Sequence, residues 1–151
     1  MYSDTITLFN RYEANGVLTW YPTVLHNVDL NIDRAAMIAK YGEQTADSAA
    51  LHVKYTAKNG EAYIGDKLYL PPKRWAAQED AEREKSITFA SGTNFDFFIV
   101  GEWAEAAPIV DDPMQWLDGV YNYMNKRFDY VFSVNSVAQY SVIPHFEITA
   151  K

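Results

Sequence analysis

Cysteine is missing from all 151 residues, and that absence alone removes disulfides, thiolate nucleophiles and zinc–cysteine sites. Histidine is nearly as scarce. His26, His52 and His145 stand far apart, without the short spacings that let metal ligands share a helix or a turn, and each reads as an ordinary structural or surface residue. No glycine-rich phosphate loop and no Gly-x-Ser-x-Gly elbow occurs, so no cofactor, metal or covalent catalysis is expected. No apolar run approaches the roughly 20 residues of a membrane-spanning helix. The opening Met-Tyr-Ser-Asp-Thr is unlike a signal peptide, and a soluble protein made in the cytoplasm is expected. Positive charge is also short. Thirteen Lys and Arg face 20 Asp and Glu, a formal net charge of -7, which argues against a reader of nucleic acid. The same charge suits a conduit that DNA crosses without being held, because an acidic wall releases no counterions on contact.

What the chain does contain is a folding composition: 48% hydrophobic and 22% charged residues, with 11 Tyr, 8 Phe and 4 Trp. Aromatics in that number suit half-buried strands and large contact surfaces, and the length is that of a single domain spanning 1–151. Residues 5–12 and 17–25 are apolar, aromatic and β-branched runs around Asn15-Gly16, a hairpin pattern. Alternation continues through His26, Val28, Leu30 and Ile32, predicting a long strand or one bent after Pro22. Leu51, Val53 and Tyr55 alternate in the same way, and Asn59-Gly60 predicts a second hairpin with residues 62–70. The run 95–100 is too apolar for a water-facing edge and is expected to be central or at an interface. Residues 129–134 and 140–148 predict two closing strands, with the bend near Asn135-Ser136.

One helix is predicted over 112–128. Asp112 is placed to cap it, Pro113 suits its first position, and Met114, Leu117, Tyr121, Met124 and Phe128 form one apolar stripe. The expected fold is therefore mainly β with one helix in the C-terminal half, an α+β arrangement in which a small β-barrel or sandwich carries the helix on one side. Two stretches read as exposed insertions, 34–46 and 73–85. The first is small-residue-rich and unassigned; the second is a dense mixed-charge run with little apolar face.

Candidate chemistry is thin. Glu102 with Glu105, or Asp111 with Asp112, could pair as carboxylates for acid/base work, but a cap and a polar connection explain them as well. Phe95, Phe97, Phe98 and Trp103 suit a core more than a pocket. Lys73-Arg74 beside Trp75 is the one basic-aromatic cluster, able to touch a DNA backbone or a neighbour's acidic surface.

Ile6-Thr7-Leu8-Phe9-Asn10-Arg11-Tyr12, followed by Trp20-Tyr21-Pro22-Thr23-Val24-Leu25-His26-Asn27-Val28, resembles the start of a family of small phage and prophage morphogenesis proteins. The likeness extends, in the same order, through Gly42 and Ala46-Asp47-Ser48, then Ile64-Gly65-Asp66-Lys67, and finally Ser133-Val134-Asn135, Pro144-His145 and Phe146-Glu147-Ile148. It departs from that pattern in the 75–85 insertion and at Ser136-Val137-Ala138-Gln139, where the family has a turn. The resemblance is to head–tail connector components, often labelled minor capsid proteins. It implies a head-closure or stopper subunit in the virion neck: a homo-oligomeric ring between the portal–adaptor assembly and the tail terminator or tail tube. DNA would pass through its lumen without sequence-specific binding, with no membrane involved. Within that expectation Arg34, Met37, Lys40 and Tyr41 are candidates for a lumen-facing or gating loop. Lys73, Arg74, Trp75, Glu79, Glu82 and Glu84 are candidates for contact with an adjacent ring or subunit. An adaptor or tail-terminator role is the near alternative. A carboxylate hydrolase, and a ligand-binding barrel with a cavity lined by Phe97, Tyr130 and Phe132, are the readings from other classes.

Overall fold

Alternating apolar side chains build a long hairpin, β1 (Asp4–Ala14) against β2 (Val17–Ile32), and a computed structural model describes residues 2–33 and 48–151 of the chain. Its turn is Asn15-Gly16, both at positive φ (54° and 76°), the geometry whose twist matches that of the strands. Near its far end the register shifts by one residue and Asn27 takes φ 58°, so β2 is bent by a bulge rather than broken at Pro22. Pro22 pairs Phe9 on one side. On the other it lies between the stretches joined to β9 (Ile109–Val110) and to β3 (Ala49–Lys54), where a residue without an N–H is tolerated.

Four more strands close the ring. Going round, β1 pairs β8 (Phe97–Val100), β8 pairs β10 (Val131–Tyr140), β10 pairs β11 (His145–Ala150), β11 pairs β3, and β3 returns to β2. Every pairing is antiparallel, so the body is a six-stranded antiparallel barrel. One residue in two points inward. Ile6, Leu8, Leu51, Phe98, Phe132 and Phe146 are fully buried there, filling an interior narrower than that of eight-stranded barrels, whose side chains only just meet. Burial of such side chains contributes on the order of 1.5–3 kcal/mol each.

A small second sheet leans on this barrel: β4 (Thr56–Lys58), β5 (Glu61–Ile64), β6 (Lys67–Tyr69) and β7 (Ser86–Ile87). Ile64, Ile87 and Phe89 join the barrel's core, and Tyr69 meets Phe146 with ring centroids 4.6 Å apart. Outside the barrel wall, Phe9, Trp20, Phe97 and Ile99 form a separate cluster covered by Val120 and Met124 of a short helix, labelled α3 below.

Several expectations need correction. The second hairpin is not one pair of strands: β3 enters the barrel, Asn59-Gly60 joins β4 to β5, and Gly65-Asp66 turns β5 into β6, because the run 62–70 contains its own glycine turn at φ 63°. The stretch 73–85 is not a free excursion. It forms α1 (Pro72–Ala76) and α2 (Asp80–Glu84), which dock through Trp75 and Arg83, only 1% and 3% exposed. Arg83 lies 3.6 Å over the Tyr12 ring, bonds the Tyr21 hydroxyl at 3.2 Å and ion-pairs with Asp80. The residues Ser136-Val137-Ala138-Gln139 are strand β10 itself. A register shift sits between Val134 and Ser136, and the turn to β11 comes later, after Tyr140.

The predicted helix is shorter than its apolar stripe. α3 runs Val120–Arg127. Gly119, at φ 89°, stops any continuation towards the N-terminus, and Met114 and Leu117 are left 93% and 87% exposed. The segment 34–47 lies outside the described residues, and with it Arg34, Met37, Lys40 and Tyr41.

Candidate functional site

Among the described residues, three groups of polar side chains brought together by the fold bear on chemistry. The most enclosed is Asp96, fully buried where β8 begins. Its Oδ1 accepts the Arg11 N–H at 2.8 Å; its Oδ2 accepts the Ala90 N–H at 2.7 Å and Asn10 Nδ2 at 2.9 Å. Asn10 also donates to the Thr88 carbonyl at 2.7 Å. Burial pushes the Asp96 carboxyl up to about 7, while the three donors pull the other way. The arrangement fastens the 88–96 connection to β1, with all of its carboxylate oxygens turned away from solvent.

A second group crosses three strands on the barrel's outer wall. Register places Asp29, His52 and Glu147 in one row. His52 lies 3.7 Å from Asp29, His145 lies 3.0 Å from Glu147, and the two imidazole rings are 5.9 Å apart. Glu147, with the Ile143 carbonyl beside it, holds His145 above the ordinary histidine range. Among the described residues, no group of three or more His, Asp or Glu could hold a metal ion. The third group is Lys67, whose Nζ donates to Thr23 Oγ1 at 2.7 Å and ties the small sheet to β2. Burial lowers its pKa against the opposing pull of Asp66 and Glu84.

The sequence candidates scatter. Asp111 is a structural clamp: its carboxylate accepts Trp20 Nε1–H at 3.0 Å and the Val120 N–H at 3.2 Å, so it is Asp111, not Asp112, that meets the start of α3. Asp112 instead caps the turn before it, through Met114 N–H at 3.0 Å. Glu102 and Glu105 are exposed on the connection after β8. Phe97 and Phe132 lie on opposite faces of the barrel wall, Phe132 within the core and Phe97 in the outer cluster, so they do not line one cavity with Tyr130. Lys73, Arg74, Glu79, Glu82 and Glu84 are exposed on α1, α2 and the link between them, as a contact surface needs, but Trp75 is core and leaves that set.

The features that stand out are on the surface. At one place the loop 111–119 presents Met114 and Leu117 outward, with Val110 (51% exposed) beside them. The loop is held in shape: the Asp112 carbonyl accepts the Gln115 and Trp116 N–H groups at 3.0 and 2.7 Å, and Trp116 turns back against Tyr123 at 4.9 Å. At another, the β10–β11 turn presents Val142 and Ile143, 95% and 74% exposed, and Ile143 lines a groove of about 570 Å³ together with Tyr2, Lys54 and Tyr63. Apolar side chains that lie together in water are where contact surfaces form, whereas single ones are ordinary on any protein. The apolar stripe predicted as helix includes Met114 and Leu117, and no local sequence pattern marks the groove, which is assembled from five separate stretches of chain. No helix among the described residues is long and apolar enough to cross a membrane.

Comparison with known proteins gives one family: it matches residues 1–151 and is described as a family of unknown function (DUF6751). No curated protein and no solved structure matches the chain.

Proposed function

The chain belongs to the DUF6751 family, and for this member we propose a structural, non-enzymatic role as a subunit of a tailed-bacteriophage neck, a head-closure or stopper ring protein. The observation that carries the reading is the pairing of a filled barrel with two exposed apolar features, Met114 with Leu117 and Val142 with Ile143. A protein whose interior is occupied by its own side chains acts through its surface, and apolar side chains left in water are stabilised when a partner covers them. The ordered likeness of its strand and turn motifs to head–tail connector components supplies the kind of partner. Within this reading the ring stands between the portal–adaptor assembly and the tail, in the virion, and helps retain DNA. The net charge of -7 suits a lumen that DNA crosses without being bound. The charged side chains of α1 and α2 and the link between them, Lys73, Arg74, Glu79, Glu82 and Glu84, face the adjacent ring.

The test is capture. The chain is incubated with the portal–adaptor complex and, separately, with the tail tube from the same genome, and each mixture is pulled down and imaged by negative stain. An extra disc on the adaptor side is the expected result. A disc on the tube end alone makes the protein a tail terminator instead, and a chain that ignores both overturns the neck reading.

A further inference from the structure

The two apolar surface features differ in a way that makes them complementary. The segment 102–119 carries Glu102, Glu105, Asp111, Asp112 and Asp118 and no Lys or Arg; Asp118 alone is ion-paired, with Lys126 of α3 at 2.9 Å. The groove beside the β10–β11 turn has the opposite character. Its lining includes Lys54, His26 and His145 and no carboxylate, with Glu147 against His145 and Glu61 against Tyr63 at its edges. Lys54 lies 4.2 Å over the Tyr2 ring, so its charge sits on an aromatic floor next to Ile143.

Their placement decides which molecule can bring them together. The loop is anchored at the start of β2, where Asp111 donates its N–H to the Leu18 carbonyl at 2.8 Å and β9 pairs Thr19 and Trp20. The groove lies beside His26, Asn27 and Val28 of the same strand. Six to ten residues of β2 separate the anchor from the groove, about 20–30 Å along the strand at about 3.3 Å per residue, and the internal hydrogen bonds of the loop keep it from reaching along the strand. Its own groove is out of reach, whereas that of a second copy is not.

We propose that the loop 111–119 of one copy seats Met114 and Leu117 in the Lys54 groove of the next copy, under Ile143, with Asp112 facing Lys54. The contact is heterologous: each copy offers one loop and one groove, so chains of copies form and close into a ring at the right rotation. Closure into a ring rests on the neck reading; the contact itself rests on these two surfaces.

Because the chain has no native cysteine, crosslinking reports the contact directly. Leu117→Cys and Ile143→Cys are placed in separate full-length chains, mixed and oxidised. The expected product is the mixed 117–143 dimer, in excess over either like-with-like dimer. Like-with-like dimers in excess, or no crosslink, overturn the proposal. Sedimentation supplies the second arm. Lys54→Glu, and the pair Met114→Asp with Leu117→Asp, each weaken self-association roughly thirtyfold or more, as loss of a central contact residue does. Mixing the two variants restores dimers and nothing longer, since one intact loop and one intact groove remain. Both lie on exposed side chains, and an unchanged near-ultraviolet circular dichroism spectrum confirms that they fold; folded variants that associate like the parent overturn the proposal. Failure of the contact and failure of the neck reading remain distinct, because a chain that crosslinks 117 to 143 yet ignores the portal–adaptor complex keeps the first and loses the second.

Discussion

Asp96 concentrates much of what single residues do in this molecule. A carboxylate accepts hydrogen bonds and donates none, and here three N–H groups converge on one that water cannot reach. Replacement by Asn turns one acceptor oxygen into a donor facing donors, and each buried N–H left without an acceptor costs about 1–3 kcal/mol. Asp96→Asn is therefore expected to lower the urea midpoint clearly. The pH profile carries a second signature. Burial raises the folded-state pKa to about 7, above its unfolded value, so the folded chain holds a proton that the unfolded chain has released. Stability from this group is complete below the ordinary carboxylate pKa and is lost as pH rises towards about 7. His145, also raised, loses its contribution in the same direction at higher pH, so the quantity to read is the difference between parent and variant. That difference should shrink between pH 4 and pH 7.5 in urea titrations at several pH values; a constant difference would mean that Asp96 does not change protonation in that window.

At the scale of elements, local pattern and tertiary position part company at the helix. Asp112-Pro113 and the stripe Met114, Leu117, Tyr121, Met124 and Phe128 are a sound helical pattern, yet only the half from Val120 onward is helical. The competing demand is long-range: Asp111 is held by Trp20 from β2, and its carboxylate takes the first N–H of α3, which requires Gly119 to swing to φ 89°, ψ 157°, a region open almost only to glycine. Nothing in the local spacing carries that information, although the glycine itself was visible. The Asn-Gly hairpin of β1 and β2 was legible because turn and alternation agree over adjacent residues. The docking of 73–85 was not, because the partners of Arg83 are Tyr12 and Tyr21, far back in the chain. Gly119→Ala separates the two helix readings by sign. With Gly119 at positive φ, a Cβ meets only ordinary contacts with Asp111 at 3.7–3.8 Å, but the backbone is strained by about 1–3 kcal/mol and the urea midpoint falls. In a continuous helix over 112–128 the same change would stabilise by up to about 1 kcal/mol.

Closure is a property of the whole molecule. The alternating runs identify most strands and put 95–100 either at the centre of the fold or at an interface, but no run says which strand completes a ring, and barrel and sandwich are equal on sequence. The decisive strand is β11, which joins β10 to β3 along a full ladder from His145↔Lys54 to Ala150↔Ala49. Because the closed interior is filled by Phe98, Phe132 and Phe146, the barrel itself offers no passage. In a neck, DNA would run between copies of this chain, past the part of their outer walls that the contact between copies leaves uncovered. The same geometry makes β11 indispensable. Removing residues 145–151 takes Phe146 and Ile148 out of the core and leaves two strand edges, β3 and β10, with unpaired N–H and C=O groups in a hydrophobic setting. Loss of one buried aromatic alone costs about 3–5 kcal/mol, a large part of the roughly 5–15 kcal/mol that holds a domain together. The shortened chain is therefore expected to lose its near-ultraviolet circular dichroism and its cooperative urea transition, and to aggregate through the open edges. Retention of the parent's transition midpoint would show instead that β10 and β3 close without β11, as two sheets packed face to face.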